Sequence, residues 1–135
     1  MKVVLSIKPQ FAEKIFDGSK KYEFRRAIFK NAGVKKVIVY ASAPVKKVIG
    51  EFEIEKIVSS DIATLWDKTK KYSGISEEYF LNYFLNKEKG FAIKIRKPVR
   101  YESPMCLQRD FNKVPPQSFS YLDDMSVDLT SSSQR

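Results

Sequence analysis

The sequence predicts a small α+β domain: a mixed, mainly antiparallel sheet of about five or six strands closed into a barrel, with about three helices packed at its ends. Three observations predict it. The β-prone runs follow one another without regular helical crossovers, which argues against a parallel sheet. One run, 48–58, is long and breaks its own alternation, as a bent strand does. The chain has 135 residues, of which 43% are hydrophobic, a composition that suits one domain with a proper core.

The elements follow in order. Val3 to Ile7 is a short apolar run rich in β-branched residues, and reads as a buried strand. Pro9 suits the first turn of a helix, and Phe11, Ala12, Ile15 and Phe16 form its apolar stripe. Gly18 fits the left-handed position just past the helix end. A second strand, Lys21 to Arg26, follows at once, and 28–36 is a basic loop. Val37 to Ser42 is a continuous β-prone run, hence a central strand stopped by Pro44. In 48–58, Glu51, Glu53 and Glu55 alternate with apolar residues, so one face is wet. The shift from Ile54 to Ile57 marks a bulge or bend.

Ile62, Leu65 and Trp66 recur at helical spacing behind Ser60 or Asp61 as the cap. Ser73-Gly74 breaks that helix. Ser76 caps the next, with Glu77 and Glu78 in its first turn. Its stripe of Tyr79, Phe80, Tyr83 and Phe84 reads as core, with a base-stacking platform as the second reading. Gly90 opens the last clear strand, in which Phe91, Ile93 and Ile95 face the core; Pro98 ends it or marks an edge. Pro115 to Phe119 reads as an ordered strap. The domain is expected to span residues 1–124, and 125–135 to be a disordered tail, because that segment has little to bury.

Charge and composition bound the function. The net charge is +9, from 25 Lys+Arg against 16 Asp+Glu, which favours polyanionic partners through counterion release. The pairs and triplets Lys35-Lys36, Lys46-Lys47, Lys68-Lys70-Lys71 and Lys87-Lys89 are each ordinary solvated surface; sharing a face, they would make a phosphate-tracking rim. There is no histidine, so the usual general base near neutral pH and the commonest metal ligand are missing. The single Cys106 excludes an internal disulfide and a thiolate metal cluster. No metal and no cofactor are expected. No stretch approaches the ~20 apolar residues of a membrane span, and the expected location is cytoplasmic.

The most informative stretch is Gly18-Ser19-Lys20-Lys21-Tyr22-Glu23-Phe24-Arg25-Arg26. On a strand, Tyr22 and Phe24 share one face and Lys21, Glu23 and Arg25 the other, with Lys20 at the turn into it. A carboxylate among cations can bind a polar, anionic, planar ligand; the same pattern also describes an ordinary solvated edge.

Residues Gly18 to Arg25 resemble the G-x-K-x-x-E-x-R signature of the ASCH domain, a branch of the PUA-like β-barrels. Ser6-Ile7-Lys8-Pro9, Tyr40-Ala41-Ser42, Ile49-Gly50-Glu51-Phe52 and Pro115 to Phe119 resemble further blocks of a small stand-alone ASCH subgroup, in the same order. The resemblance implies a PUA-like barrel with a cleft between barrel and helices. It also implies a role in RNA metabolism, with RNA or a nucleotide as partner. Carried over by position, Lys20, Glu23 and Arg25 are the implied ligand-binding residues, and Ser6, Lys8, Tyr40 and Ser42 their neighbours, because the first and third strands should flank the second. One branch of the family deacetylates acetylcytidine with a threonine where this chain has Glu23, so a covalent acyl-enzyme does not transfer simply. Two functions follow. The preferred one is binding without catalysis, in a basic cleft lined by the signature. The alternative is a metal-independent hydrolase acting on a modified nucleoside or an RNA phosphodiester, with Glu23 as base and Lys20 as electrophile.

Overall fold

A computed structural model describes residues 1–117 and 119–122. Among them are six strands and four α-helices: β1 (Lys2–Ile7), α1 (Pro9–Phe16), β2 (Tyr22–Arg25), β3 (Lys36–Ala41), β4 (Lys47–Asp61), α2 (Ile62–Thr69), α3 (Glu77–Tyr83), β5 (Lys89–Met105), α4 (Leu107–Phe111) and β6 (Phe119–Leu122). A single 3₁₀ turn, Lys70–Tyr72, follows α2. The expected tail, 125–135, lies outside the described residues.

The strands form one sheet in the order β2-β5-β4-β3-β1-β6. Among the described strands only β1 and β3 run parallel; the remaining pairs are antiparallel. The ladder leaves β2 and β6 as edges, but the sheet curls. Val3, Leu5 and Ile7 of β1, Val37 and Val39 of β3, Phe52 of β4 and Ile93 of β5 share one core with Phe119 and Tyr121 of β6. The result is a barrel-like sheet around an apolar centre. Register shifts in β4 produce the curl, including one between Ile54 and Lys56, where the broken alternation places it. The wet face of β4 is laced by Glu51 with Lys36, Glu53 with Arg96 and Glu55 with Lys94, each carboxylate meeting a cation on a neighbouring strand.

A separate cluster fills the space between the sheet and α2–α3. Leu65, Phe80 and Phe84 bury against Phe24 and Ala92, with Trp66 tilted 4.9 Å from Phe80. This cluster corrects one expectation. Ile93 and Ile95 do face the central core, but Phe91 is only half-buried, and Ala92 on the opposite face is fully buried because α2 and α3 cover it. β5 also runs on past Pro98, which occupies the edge alternative. β2 pairs only with Phe91 to Lys94, so among the described residues the later part of β5 pairs with β4 alone and needs no N–H from Pro98. The sequence reading missed α4. Leu107 and Phe111, one turn apart, close a third cluster over Val4, Ile38 and Tyr40. Asn112, at φ 56°, ends that helix in the left-handed region.

Asp61 is the cap of α2, accepting from the Thr64 N–H at 3.1 Å. Ser76 caps α3, accepting from the Tyr79 N–H at 3.0 Å. Ser76→Ala should lower stability by about 1 kcal/mol, read from the denaturant midpoint. An unchanged midpoint would show that tertiary contacts alone hold the start of α3.

Candidate functional site

α1, β2 and α3 enclose a cleft of about 210 Å³. The chain reaches it through a tight turn. Gly18, at φ 87°, follows α1, and Asp17 accepts from the Ser19 N–H at 2.8 Å. The Lys20 N–H then returns to the Lys14 carbonyl at 3.0 Å. This turn delivers Lys20 to the cleft and starts β2, whose Glu23 and Arg25 also line it.

Lys20 is the unusual member. A lysine at a turn is expected at the surface, yet this one is 2% exposed. Its ammonium donates to the Ser73 carbonyl at 2.7 Å and lies over the rings of Phe11 at 5.4 Å and Phe24 at 4.9 Å. Burial pulls its pKa down from 10.5 to about 8, against the opposing pull of the Glu23 carboxylate. The Ser73-Gly74 corner, expected only to break a helix, wraps over the Lys20 stem. Gly74 sits at φ 70°, and a Cβ there would lie 2.6 Å from the Lys20 Cβ. Glu23 is 7% exposed and pairs with Arg25 at 3.4 Å.

Ser6 and Lys8 complete the polar lining from the end of β1. The Ser6 hydroxyl donates to the Pro116 carbonyl at 2.8 Å, and Gln117 lines the cleft, so part of the expected strap stands at its rim. Lys8 holds its ammonium 5.6 Å from the Tyr79 ring centre. The cleft thus brings together Lys20, Glu23, Arg25, Ser6 and Lys8.

Tyr40 and Ser42 are not among the residues lining the cleft. Tyr40 is buried in the cluster with Leu107 and Phe111, although its backbone is in register with Ser6. Ser42 belongs to the turn after β3, where its carbonyl accepts from the Val45 N–H at 3.1 Å.

Sequence reasoning did not assign Phe11 and Gln117 to the cleft that they line, and it read Tyr79 and Tyr83 first as core, with a stacking platform only as the second reading; both line the cleft. The aromatic stripe of α3 divides: Phe80 and Phe84 face the core, while Tyr79 and Tyr83 face the cleft. Their hydroxyls, four residues apart, were the available signal. Tyr83 donates to the Phe24 carbonyl at 3.1 Å, and burial raises its pKa. Arg26 clamps this helix end to β2 through the carbonyls of Tyr83 and Leu85, at 2.8 and 3.0 Å. Chemically, the cleft offers fixed cations, a carboxylate and hydroxyls between aromatic walls. Among the described residues, no three Asp, Glu, Cys or His side chains gather as a metal-binding group.

A curled, mainly antiparallel sheet with helices around a polar cleft places the protein in the PUA-like class. The ASCH domain family matches residues 5–99, and the chain belongs to that family. An ASCH domain-containing ribonuclease from Zymomonas mobilis subsp. mobilis is 36% identical over 124 residues, covering 88% of this chain and 82% of that one. The crystal structure of ASCH from Zymomonas mobilis superposes with a TM-score of 0.88 at 34% identity, over 97% of this chain and 94% of that one. The N-terminal domain of Staphylothermus marinus McrB shares the fold, with a TM-score of 0.60 at 15% identity over 97% of this chain and 93% of that one. No helix among the described residues is long and apolar enough to cross a membrane.

Proposed function

We propose that this protein binds single-stranded RNA in the cleft and cleaves its phosphodiester backbone without a metal ion. The observation that carries the binding half is the convergence of Lys20, Glu23, Arg25, Ser6 and Lys8 on one cleft walled by Phe11, Tyr79 and Tyr83. Such a site suits an extruded nucleotide: the base rests against rings and the phosphate meets cations. Arg25 offers a planar fork to a phosphoryl group, and Lys20 a point charge in a water-poor setting where it acts strongly. Free nucleotides would satisfy the same contacts, but the net charge of +9 favours a polymer.

The cleavage half is supported by the ribonuclease from Zymomonas mobilis, which is 36% identical to this chain. The residues suffice for it. Glu23 takes the proton of the ribose 2′-hydroxyl as its oxygen bonds to the adjacent phosphorus. The bond from phosphorus to the 5′-oxygen breaks, and that oxygen takes a proton from Lys20, leaving a 2′,3′-cyclic phosphate. Arg25 holds the charge that builds on the phosphoryl oxygens.

Glu23→Gln tests this directly. Labelled RNA, incubated with a chelator present, should be cut by the wild type and cut at least ~100-fold more slowly by the variant. RNA affinity should change by less than about threefold, because a base contributes to the reaction more than to binding. Undiminished cleavage by Glu23→Gln would remove Glu23 as the base. Wild-type binding without any cleavage would leave a binding module. Release of acetate from acetylcytidine in place of strand cleavage would point to the nucleoside hydrolase alternative.

A further inference from the structure

A second groove, of about 520 Å³, shares Lys20 with the cleft. We infer that it holds the phosphodiester backbone of the RNA segment flanking the nucleotide in the cleft; the inference rests on the RNA reading of that cleft. Lys21, Lys94, Arg96 and Lys97 line the groove, with Glu55 as its carboxylate. Two of the cations are engaged: Lys94 meets Glu55 at 3.1 Å, and Arg96 meets Glu53 at 2.9 Å. The positive charge still exceeds the negative, and nothing in the proposed chemistry uses it.

The local structure explains why the cations gather here. β2 stops pairing at Tyr22 and Lys94, so β5 continues beyond it with one side unpaired by any described strand. Its register against β4 shifts between Glu53–Arg96 and Glu51–Val99, and Lys97 takes a φ of 50° in that bulge. A bulge re-aims side chains, and here consecutive cations meet the groove. Tyr72, 40% exposed, stands in the same wall with the Lys21 ammonium 4.5 Å from its ring centre. A row of cations beside an exposed ring is how single strands are held, phosphates on the charges and a base on the ring. A duplex, its bases stacked inward, could use the charges but not the ring.

The test compares wild type, the groove variant Lys21→Gln/Lys97→Asn and the cleft variant Arg25→Gln. The asparagine tolerates the positive φ at position 97. The probes are uridine 3′-monophosphate, a short single-stranded RNA oligonucleotide and the same oligonucleotide as a duplex, each across a salt series. The groove variant should bind the oligonucleotide about tenfold more weakly, with a salt slope reduced by about 1.4, or ~0.7 for each phosphate that is no longer neutralised. Its affinity for the mononucleotide should be unchanged. An unaltered oligonucleotide affinity and slope would overturn the groove. So would a failure of the variant to bind a mononucleotide that wild type binds, which would make the variant an indirect cleft defect. Tyr72→Ala, which removes the ring and leaves the lysines, should weaken the oligonucleotide and not the duplex; an equal effect on both would overturn the single-strand assignment. The cleft reading fails separately, if wild type ignores the mononucleotide and Arg25→Gln binds the oligonucleotide normally; the groove variant's oligonucleotide affinity and slope decide the groove in that event too.

Discussion

Lys20→Met is expected to be at least as stable as wild type at pH 7, yet to bind RNA at least ~100-fold more weakly, since it deletes the buried charge that the proposed function sets against phosphate. The opposing signs follow from one placement. The residue is 2% exposed, and burial has lowered its pKa from 10.5 to about 8. At 1.36 kcal/mol per unit, holding it charged costs the folded state on the order of 3 kcal/mol. Methionine keeps the stem volume against Phe11 and Phe24 without that cost. It loses the hydrogen bond to the Ser73 carbonyl, worth about 1–3 kcal/mol when the acceptor stays buried, so the balance falls near zero or above it. Lys20→Ala should lose about 2–4 kcal/mol, because it empties the space beneath the rings.

The pH dependence supplies the check. Between about 8 and 10.5 the unfolded chain keeps the Lys20 proton and the folded chain does not. The unfolded state then binds more protons, so this residue makes stability rise with pH across that window. Its stabilising contribution is present above the window and lost as pH falls through about 8. The rise should be present in wild type and absent from Lys20→Met, when denaturant midpoints are compared at pH 7, 9 and 10. Parallel curves would show that Lys20 is not desolvated in the folded protein.

Gly74→Ala is the second large effect. Gly74 sits at φ 70°, and an added Cβ would lie 2.6 Å from both Cβ and Cγ of Lys20. Left-handed strain of about 1 kcal/mol combines with overpacking of about 1–3 kcal/mol, for an expected loss of about 2–4 kcal/mol. Gly18→Ala separates the two causes. Gly18 has φ 87° but nothing within 4 Å of its added Cβ, so only the strain should appear, about 1 kcal/mol. Gly74→Ala should also weaken RNA binding, since the corner that it displaces carries the Ser73 carbonyl that holds the ammonium. Equal losses for the two glycine variants in chemical denaturation would show that the corner yields without moving Lys20.

These residues also show what a sequence can and cannot disclose. Gly18 was legible because a helix stripe ending at Phe16 demands a left-handed residue just beyond. The strands were legible from β-branched runs and from the Glu51, Glu53, Glu55 alternation. The bend near Ile54 was legible as a broken period. Lys20, Glu23 and Arg25 were legible as a cluster because three charged residues lie within one turn and one short strand. Lys20's burial was not, since it depends on Ser73 and Gly74, distant in the chain, closing over it. Tyr79 and Tyr83 shared a spacing with Phe80 and Phe84, and periodicity alone cannot say which side of an aromatic helix meets a cleft. Tyr40 and Ser42 read as neighbours because the first and third strands were expected to flank the second; in the sheet β2 pairs with β5, and β5 and β4 stand between it and β3. The helix Leu107–Phe111 is too short to show a period.

The proposed function turns on whether RNA sits in this cleft. The most direct measurement is an amide chemical-shift titration of the uniformly labelled Glu23→Gln variant, chosen so that bound RNA stays intact, with a short single-stranded RNA. The predicted result is that the largest changes fall on Lys8, Lys20, Arg25, Tyr79 and Tyr83, the walls of one cleft, with smaller changes along Lys21, Tyr72 and Lys97. Saturable changes confined to surfaces remote from α1, β2 and α3 would contradict it.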